Sequence, residues 1–378
     1  MRAVAVLMLA FALAGSPVAA RSHGPQPSPS PSPAAAPSPA AGSTAIITTK
    51  LPFDADALDA AFDAAGGLHV TYARGKSFFY TQRPPNTKEF RAPIKLGTLA
   101  PGVDPETTPQ IAVWPKGNPC ALWKGGGAIL LSMSSDKGKS FQAVSTAGLL
   151  VANTAIEVPT LIVGGDGALH LLWVDHRDAL DPKDAVARHL YFSTTRDRGK
   201  TWAPARALTK GLKRACPCCQ PAAAAGPGGE IFVAYRTSDA NVKEIALLHS
   251  TDSGHTFQVK QVSDNHWYVK GCPTSGPSLA VSGGQVALIW MADQDLYSTT
   301  SADDGRSFSH PLKLGAGFFH QAAGSHDRSV MLFEQGDKVL AWRSGDAAPA
   351  RVEAPPRGSL VAGPGGRFEL IAFDRGEE

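Results

Sequence analysis

One eight-residue pattern occurs four times in this chain and limits its possible folds more than any other feature. The copies are Ser134-x-Asp136-x-Gly138-x-Ser140-Phe141, Thr195-x-Asp197-x-Gly199-x-Thr201-Trp202, Ser250-x-Asp252-x-Gly254-x-Thr256-Phe257 and Ser301-x-Asp303-x-Gly305-x-Ser307-Phe308, about 50 to 60 residues apart. The Asp side chain of such a pattern accepts hydrogen bonds from turn amides, the Gly adopts a left-handed backbone, and the aromatic fills the space beneath the turn. Four copies in phase predict a repeat protein whose hairpin turns are structural rather than catalytic.

Residues 1–20 have the properties of a secretory signal peptide. Arg2 gives a positive start, an apolar stretch follows, and Val18-Ala19-Ala20 provides the small residues of a cleavage site. No Cys follows that site, so a lipid anchor is not indicated, and no later stretch reads as a membrane helix. Residues 21–43 are almost entirely Pro, Ser and Ala, which predicts a disordered tether. We therefore expect an exported protein, periplasmic or secreted, with one folded domain over residues 44–378.

The composition of the chain favours an all-β domain and excludes one class of partner. Lys plus Arg total 36 and Asp plus Glu total 33, and no basic run alternates with aromatics, so nucleic acid is excluded as a partner. The chain has 38 Gly and 30 Pro beside frequent Val, Leu, Trp and Phe, as expected for short strands joined by tight turns.

The four copies resemble the Asp-box (BNR) repeats of the sialidase superfamily. This resemblance implies a β-propeller of four-stranded antiparallel blades, with each Asp box at the turn between the third and fourth strands of its blade. It also implies the chemistry to look for, since sialidases act on glycans.

A second repeat sets the number of blades. It consists of a short apolar strand, a Gly-rich turn and a longer strand, and we find it seven times, starting at Leu58, Gln110, Pro159, Pro221, Pro277, His320 and Ser359. The sequence therefore predicts seven blades, whereas six blades, as in sialidases proper, would require one copy to be a decoration. The last copy ends after two strands, so the segment Ala45 to Thr49 is the natural strand to close that blade and cover its edge.

Blade topology divides the loops between two faces. The Asp boxes mark one face, and the second-to-third loops and the connections between blades form the other, where propellers and barrels bind ligands. Chemically reactive residues gather on this second face. The candidate ligand residues there are Asp175, Arg177, Arg236, Asp239, Trp267, His320 and Arg375, with His176 and Asp178 beside them.

The cysteines are the most unusual local feature. Cys216, Cys218 and Cys219 precede the fourth blade and Cys272 precedes the fifth, whereas Cys120 lies apart near the Asp-box face. In an oxidising compartment the first interpretation is one or two disulfides that join the two blades. The alternative is a copper or zinc site at the same cluster, since crowded thiolates suit soft ions. Apart from this possible copper or zinc site, the sequence predicts no cofactor and no bound metal.

The region from Ala215 to Phe308 also resembles a set of bacterial exported proteins described as sialidase-like or BNR-repeat proteins. The matching residues include the Cys216-x-Cys218-Cys219-Gln220 run, Tyr235-Arg236, Trp267 and Gly271-Cys272-Pro273. This resemblance supports the fold and export but implies no particular activity.

The catalytic residues of sialidases are not evident in the sequence. That family binds the substrate carboxylate with three arginines and uses a Tyr nucleophile paired with a Glu, and an Asp acid/base. Its Phe-Arg-Ile-Pro motif has one counterpart here, Phe90-Arg91-Ala92-Pro93, and blade alignment interprets that segment as the fourth strand of the first blade. An arginine triad could be formed by Arg177, Arg236 and either Arg343 or Arg375, and Tyr268 could serve as the phenol. No spacing in the sequence singles these residues out.

Two functions of different class remain at the level of sequence. One is a binding or assembly propeller whose loop face takes a glycan, a peptide or protein partner, or a metal outside the cytoplasm. The other is a sialidase-like glycoside hydrolase with relocated residues.

Overall fold

The structure of the chain is a computed structural model. It describes residues 45–105, 107–143, 145–146, 156–175, 177, 188–325, 327–343, 346, 348–355 and 357–375, which all belong to one compact unit, Gly42–Glu378. The predicted signal peptide and the predicted tether lie outside the described residues. No helix among the described residues is long and apolar enough to cross a membrane.

The fold is an all-β propeller with seven blades in a ring, as the strand–turn–strand repeats predict. Six blades are antiparallel sheets of four strands, and the seventh is a sheet of three strands. A pair of short strands, β16 and β19, lies outside the blades. In chain order the strands are β1 (Ile46–Lys50), β2 (Ala57–Phe62), β3 (Leu68–Arg74), β4 (Ser77–Arg83), β5 (Ile94–Thr98), β6 (Gln110–Val113), β7 (Pro119–Gly125), β8 (Ala128–Met133), β9 (Ser145–Thr146), β10 (Ile156–Val163), β11 (Leu169–Asp175), β12 (His189–Thr195), β13 (Arg206–Ala207), β14 (Ala222–Ala225), β15 (Ile231–Arg236), β16 (Val242–Lys243), β17 (Ile245–Ser250), β18 (Gln258–Gln261), β19 (Trp267–Tyr268), β20 (Ser278–Ser282), β21 (Gln285–Ala292), β22 (Asp295–Ser301), β23 (Leu312–Ala316), β24 (Phe318–Gly324), β25 (Ser329–Gln335), β26 (Lys338–Arg343), β27 (Ala350–Val352), β28 (Ser359–Gly363) and β29 (Arg367–Ala372).

Burial changes from the centre of each blade outwards. The second strands, such as β11 and β15, are buried along their whole length because each is covered by the neighbouring blade on either face. The outermost strand β18 is exposed throughout. The core therefore consists of layers between blades, and the largest residues in these layers are Trp123, Trp173 and Trp290.

The four repeated patterns form turns of one geometry between the third and fourth strands of blades two to five. In the first of them, the Asp136 carboxylate accepts hydrogen bonds from the Ser140 amide at 2.9 Å and from the Ser140 hydroxyl at 2.5 Å. The Ser134 hydroxyl donates to Asp136 at 2.8 Å and accepts from the Gly138 amide at 2.8 Å. Asp197, Asp252 and Asp303 make the equivalent bonds. We call these four segments the aspartate turns.

Glycine is required in the aspartate turns for two reasons. Gly138 has a φ of +80°, a backbone conformation that costs an L side chain energy. A Cβ added at Gly138 would also lie 2.1 Å from the Tyr80 hydroxyl oxygen of the preceding blade. The aromatic of the turn, Phe141, packs on the same Tyr80 ring at 4.7 Å. Each turn thus connects its own hairpin to the blade before it. Gly199, Gly254 and Gly305 also have positive φ.

The seventh blade is closed by the N-terminal strand, as expected, but its geometry differs from that of the other six. β1 pairs with β29, with Ile46 opposite Phe368 and Lys50 opposite Ala372, and the pairing is parallel. β28 lies on the other side of β29. The direction of β1 follows from its connection: residues 51–56 lead directly to β2, which begins on the face opposite the aspartate turns, so β1 must also end on that face.

Hydrogen bonds from side chains of the innermost strands join neighbouring blades around the ring. At six of the seven boundaries a polar side chain of one blade bonds to the adjacent innermost strand: Asp59 to Ile111, Gln110 to Leu161, Thr160 to Pro221, Ser278 to His320, Gln321 to Leu360 and Ser359 to Asp59. Between blades four and five the described residues form a covalent link instead, the disulfide Cys218–Cys272.

Candidate functional site

The innermost strands enclose a central channel of about 1140 Å³ that we consider the candidate ligand site. Its lining includes the segments that precede the innermost strands but none of the turns next to the aspartate turns. The channel therefore opens on the face opposite the aspartate turns, which we call the mouth face. The residues at this opening include Asp56, Thr107, Val158, Cys218, Thr274, Phe319, Arg357, Phe373 and Arg375.

Two ionisable groups on the channel wall have shifted pKa values. Desolvation raises the pKa of Asp59, although the Ile111 amide, the Ser359 hydroxyl and the Ala60 amide donate hydrogen bonds that oppose the rise. Desolvation lowers the pKa of His320 to about 4, and Arg236 contributes to this effect, while the hydrogen bond to Gly276 opposes it. His320 is therefore neutral at neutral pH and donates from Nε2 to the Gly276 carbonyl at 2.8 Å.

Two consecutive phenylalanines lie exposed at the rim of the mouth. Phe318 and Phe319 are 58% and 59% exposed, which is unusual for two consecutive residues of a strand, whose side chains normally alternate between faces. A register shift between Phe318 and Gln321 interrupts the alternation. Phe319 has a φ of +40°, and Val158, which also lines the channel, has a φ of +42° in the register shift of β10. Non-glycine residues with positive φ store strain, and such strain is concentrated at functional sites.

The structure places the sequence-predicted candidates in three locations. His320 and Arg375 line the channel. Arg236 and Trp267 lie at the boundary of blades four and five, where the guanidinium carbon is 5.0 Å from the indole centroid. Asp239 is on the same face and faces Arg214 at 3.7 Å.

Asp175 and Arg177 form the third location, which lies away from the channel lining. Asp175 is buried and accepts hydrogen bonds from the Trp173 indole at 3.0 Å and from the Arg177 amide at 2.6 Å. The Arg177 guanidinium pairs with the same carboxylate and stacks 4.5 Å from the Tyr191 ring centroid. These contacts give both residues structural partners. His176 and Asp178 lie outside the described residues.

Four of the five cysteines form one cluster next to the mouth. The Sγ atoms of Cys216, Cys218, Cys219 and Cys272 all lie within 4.8 Å of one another. Cys218 is bonded to the exposed Cys272, whereas Cys216 and Cys219 are buried thiols, as is the distant Cys120. The Cys216 sulfur is 3.6 Å from the Cys218 sulfur. The hydrogen bond between Cys216 and Cys219 lowers the pKa of the first thiol and raises the pKa of the second.

Arg236 connects this cluster to blade five. It is 1% exposed and donates from Nε to the Ser275 carbonyl and from Nη2 to the Met291 carbonyl, both at 2.7 Å. Its Nη1 is buried without a hydrogen-bond partner among the described residues. Two further buried charges flank it: Lys243, whose ammonium contacts the Ser238 hydroxyl, and Glu244, whose carboxylate accepts from the His266 amide at 2.6 Å.

The structure does not assemble the sialidase constellation from the residues that the sequence offered. Tyr268 is 56% exposed on β19, and Arg343 on β26 faces Asp346 at 3.5 Å. Among the described residues, no Tyr and no Glu lines the channel.

The segment Phe90-Arg91-Ala92-Pro93 needs a correction, because the fourth strand of blade one begins later, at Ile94. The Arg91 amide bonds to the Gln82 carbonyl, as the amide after the aromatic does in three of the aspartate turns. The segment is thus the end of the turn before that strand.

Sequence reasoning missed the channel wall itself. The strand–turn–strand repeat indicates only apolar strands at the positions of Asp59, Gln110, Thr160, Gln321 and Ser359. A signal was present, since six of the seven strand–turn–strand copies carry at their start a polar residue that a strand buried on both faces would not contain.

Comparison with known proteins supports the fold and leaves the activity open. As a sequence, the chain matches no protein-family model and no curated protein. Among solved structures it is similar to an α-L-arabinanase of Penicillium chrysogenum complexed with arabinobiose, with 14% identity over 73% of this chain and 88% of that one and a TM-score of 0.50.

A GH93 α-L-arabinofuranosidase of Fusarium graminearum, also complexed with arabinobiose, gives 15% identity, coverage of 77% and 91%, and a TM-score of 0.50. A leech intramolecular trans-sialidase gives 10% identity, coverage of 80% and 79%, and a TM-score of 0.46, too low to carry an argument. At these identities the likeness shows the β-propeller fold alone.

Proposed function

We propose that this protein is an exported, sialidase-like Asp-box propeller that binds a glycan at its channel mouth without cleaving it. The observation that carries the proposal is that an exposed aromatic ring and two arginines lie together at the mouth. Phe319 is exposed at this opening, and Arg357 and Arg375 line it. Neither guanidinium forms a salt bridge with a described residue, and Arg357 acts on Glu334 only at longer range. Two guanidinium groups that form no salt bridge with a described residue favour a glycan that carries a carboxylate.

The chemistry of the channel supports binding over hydrolysis. A glycosidase of the usual type needs two carboxyl groups that flank the scissile bond and are free to exchange protons or attack carbon. The described carboxylates of the channel lining are Asp56 and Asp59. Asp56 accepts a hydrogen bond from the Gly75 amide at 2.7 Å, and Asp59 holds blades seven, one and two together. Both are therefore committed to structure.

The proposal is tested with the mature protein on a glycan array, followed by calorimetry on the hits. We expect acidic oligosaccharides to bind and Phe319→Ala and Arg375→Ala to weaken binding at least about tenfold, the equivalent of about 1.4 kcal/mol. Phe318→Ala is the matched control, since Phe318 is equally exposed but does not line the channel. Binding that survives both channel substitutions, or capture of peptides alone, contradicts the proposal.

One observation favours the second candidate, a sialidase-like hydrolase. Burial raises the pKa of Asp59, and this is the direction in which the pKa of a carboxyl group that acts as a general acid is shifted. A fluorogenic sialoside and a fluorogenic arabinofuranoside separate the two functions. Release of the fluorophore that Asp59→Asn abolishes, while circular dichroism shows an intact fold, would replace the binding proposal with the hydrolase.

Export is part of the proposal. The Cys218–Cys272 disulfide suits an oxidising compartment. We expect the exported protein to begin at Arg21, which N-terminal sequencing of periplasmic and secreted fractions measures.

A further inference from the structure

The cysteine cluster contains more sulfur than a structural disulfide needs. Cys218 and Cys272 already join blades four and five. Cys216 and Cys219 remain as thiols, 2% and 1% exposed, and they belong to the group of four sulfurs within 4.8 Å of one another. Metal–sulfur bonds of about 2.3 Å place two sulfurs about 4.6 Å apart when they lie on opposite sides of one ion. The two thiols are therefore close enough to share an ion.

A buried cation next to the cluster indicates which charge belongs there. Arg236 is almost fully buried, donates hydrogen bonds to two backbone carbonyls and stacks on Trp267. Its Nη1 has no hydrogen-bond partner among the described residues, although a buried guanidinium normally has an anion. Arg236 and the Cys216–Cys219 pair interact electrostatically. Negative charge on the sulfurs would satisfy this guanidinium.

We propose that the Cys216 and Cys219 thiolates bind one monovalent soft metal ion, Cu(I), in the protein whose Cys218–Cys272 disulfide is intact. Binding releases two protons to solvent, one from each thiol, and forms two sulfur–copper bonds with no change of oxidation state. The site is independent of the glycan proposal and lies at one side of the same mouth.

Charge balance selects Cu(I) over Zn²⁺. Arg236 and Lys243, which both act electrostatically on Cys216, contribute two positive charges, and Glu244, which acts on Arg236, contributes one negative charge. These buried groups around the sulfurs therefore carry one net positive charge. Two thiolates with one Cu(I) carry one net negative charge, which makes the whole group neutral. Zn²⁺ would leave a surplus positive charge in a buried site. It also prefers four ligands, and two of the four sulfurs of the cluster, those of Cys218 and Cys272, already form the disulfide. Thiolates of this kind are typical ligands of Cu(I).

The test is a titration of the full mature protein with Cu(I) under anaerobic conditions against a chromophoric Cu(I) chelator, without added reducing thiols. We expect one equivalent of bound copper, with two sulfur ligands in X-ray absorption. Cys216→Ala and Cys219→Ala should each lower the affinity at least about 100-fold. Cys120→Ala is the matched control, since Cys120 is also a buried thiol but lies outside the cluster.

A second substitution tests the charge argument. Arg236→Gln should lower Cu(I) affinity about 10–100-fold, the usual effect of removing an outer partner of a metal site, and Arg236→Lys should restore part of it. If Arg236→Gln does not fold, the three cysteine variants decide the matter.

Two results would overturn the proposal. One is stoichiometric copper binding that the Cys216→Ala/Cys219→Ala double variant retains. The other is mass mapping of the exported protein that shows Cys216 linked to Cys219 in every molecule.

Discussion

Replacing Arg83 with Met should strongly destabilise the propeller at its closing boundary, between blades seven and one. Arg83 ends β4 of blade one and is 7% exposed, and Glu369 in the middle of β29 is fully buried. The guanidinium donates two hydrogen bonds to the carboxylate, at 2.6 and 2.9 Å. Glu369 also accepts from Thr49 of β1. This one carboxylate therefore connects the first blade, the last blade and the N-terminal strand.

The expected loss in free energy of unfolding depends on which charges remain buried after the substitution. Removal of one partner from a buried ion pair costs about 3–5 kcal/mol, mainly because the other charge stays buried. Arg367 still contacts Glu369 and is 40% exposed, so it compensates part of the lost charge. We expect the lower end, about 3 kcal/mol, which lowers Tm by about 4 °C in a domain of this size. The double variant Arg83→Met/Glu369→Leu should recover much of the loss, since no buried charge is left.

The assay is urea unfolding of wild type and of these two variants at several pH values. Hydrogen bonds from Arg83, Thr49 and Arg367 outweigh desolvation and lower the pKa of Glu369 in the folded state. A lowered folded pKa contributes stability that is present above the unfolded pKa of about 4.3 and is lost as pH falls through the folded value. The difference between wild type and Arg83→Met should thus shrink below about pH 4. A difference under about 1 kcal/mol at pH 7, or one that does not change with pH, would refute the reasoning.

Three further predictions concern the ends of the chain, the disulfide and the aspartate turns. Deletion of residues before Leu51 should lower Tm more than deletion of residues 21–42, because it exposes the edge of β29; equal Tm values in calorimetry would contradict this. Cys272→Ser should cost about 4 kcal/mol in the chain-entropy treatment of a loop of 54 residues, measured by urea unfolding with Cys120→Ala as the control; an unchanged midpoint would show that the link does not contribute. Hydrogen bonds within the turns lower the pKa values of Asp136, Asp197 and Asp252 to about 2. Their stabilisation is therefore present above about pH 4 and is lost between about pH 4 and 2. In the triple Asp→Asn variant the free energy of unfolding should therefore change less with pH over that interval. A pH dependence parallel to that of wild type would show that these carboxylates do not stabilise the turns.

The fold could be predicted because its specification is local and repeated. Each aspartate turn carries its own hydrogen-bond acceptor, its glycine and its aromatic within eight residues, and each inner hairpin carries its own Gly-rich turn. Blade closure could be predicted by counting, since the seventh copy ends at β29 with its edge uncovered. The parallel direction of β1 could not, because it depends on where residues 51–56 lead and not on any pattern inside Ile46–Lys50.

The site was harder to predict because polarity in a loop does not distinguish a ligand contact from a structural bond. Asp175 and Arg177 fulfilled every sequence criterion and are bonded to each other. Asp59 and Phe319 met none of the criteria applied to loops, because both lie within strand-like segments. Their exposure to the channel depends on the curvature of the ring and on one register shift in β24, which are properties of the assembled blades. The Cys218–Cys272 link could be anticipated, but which of the three neighbouring cysteines forms it could not.

The direction of β1 determines how this molecule can be attached to a surface. Ile46 lies opposite Phe368, next to the turn at Pro364–Gly366 on the side of the aspartate turns. The described chain ends at Arg375, at the rim of the channel. A bead, sensor chip or fluorescent protein coupled ahead of residue 45 therefore leaves the mouth accessible to large ligands, whereas the same group coupled after residue 375 stands beside the opening. Immobilisation through the two ends should yield different apparent affinities for one and the same ligand.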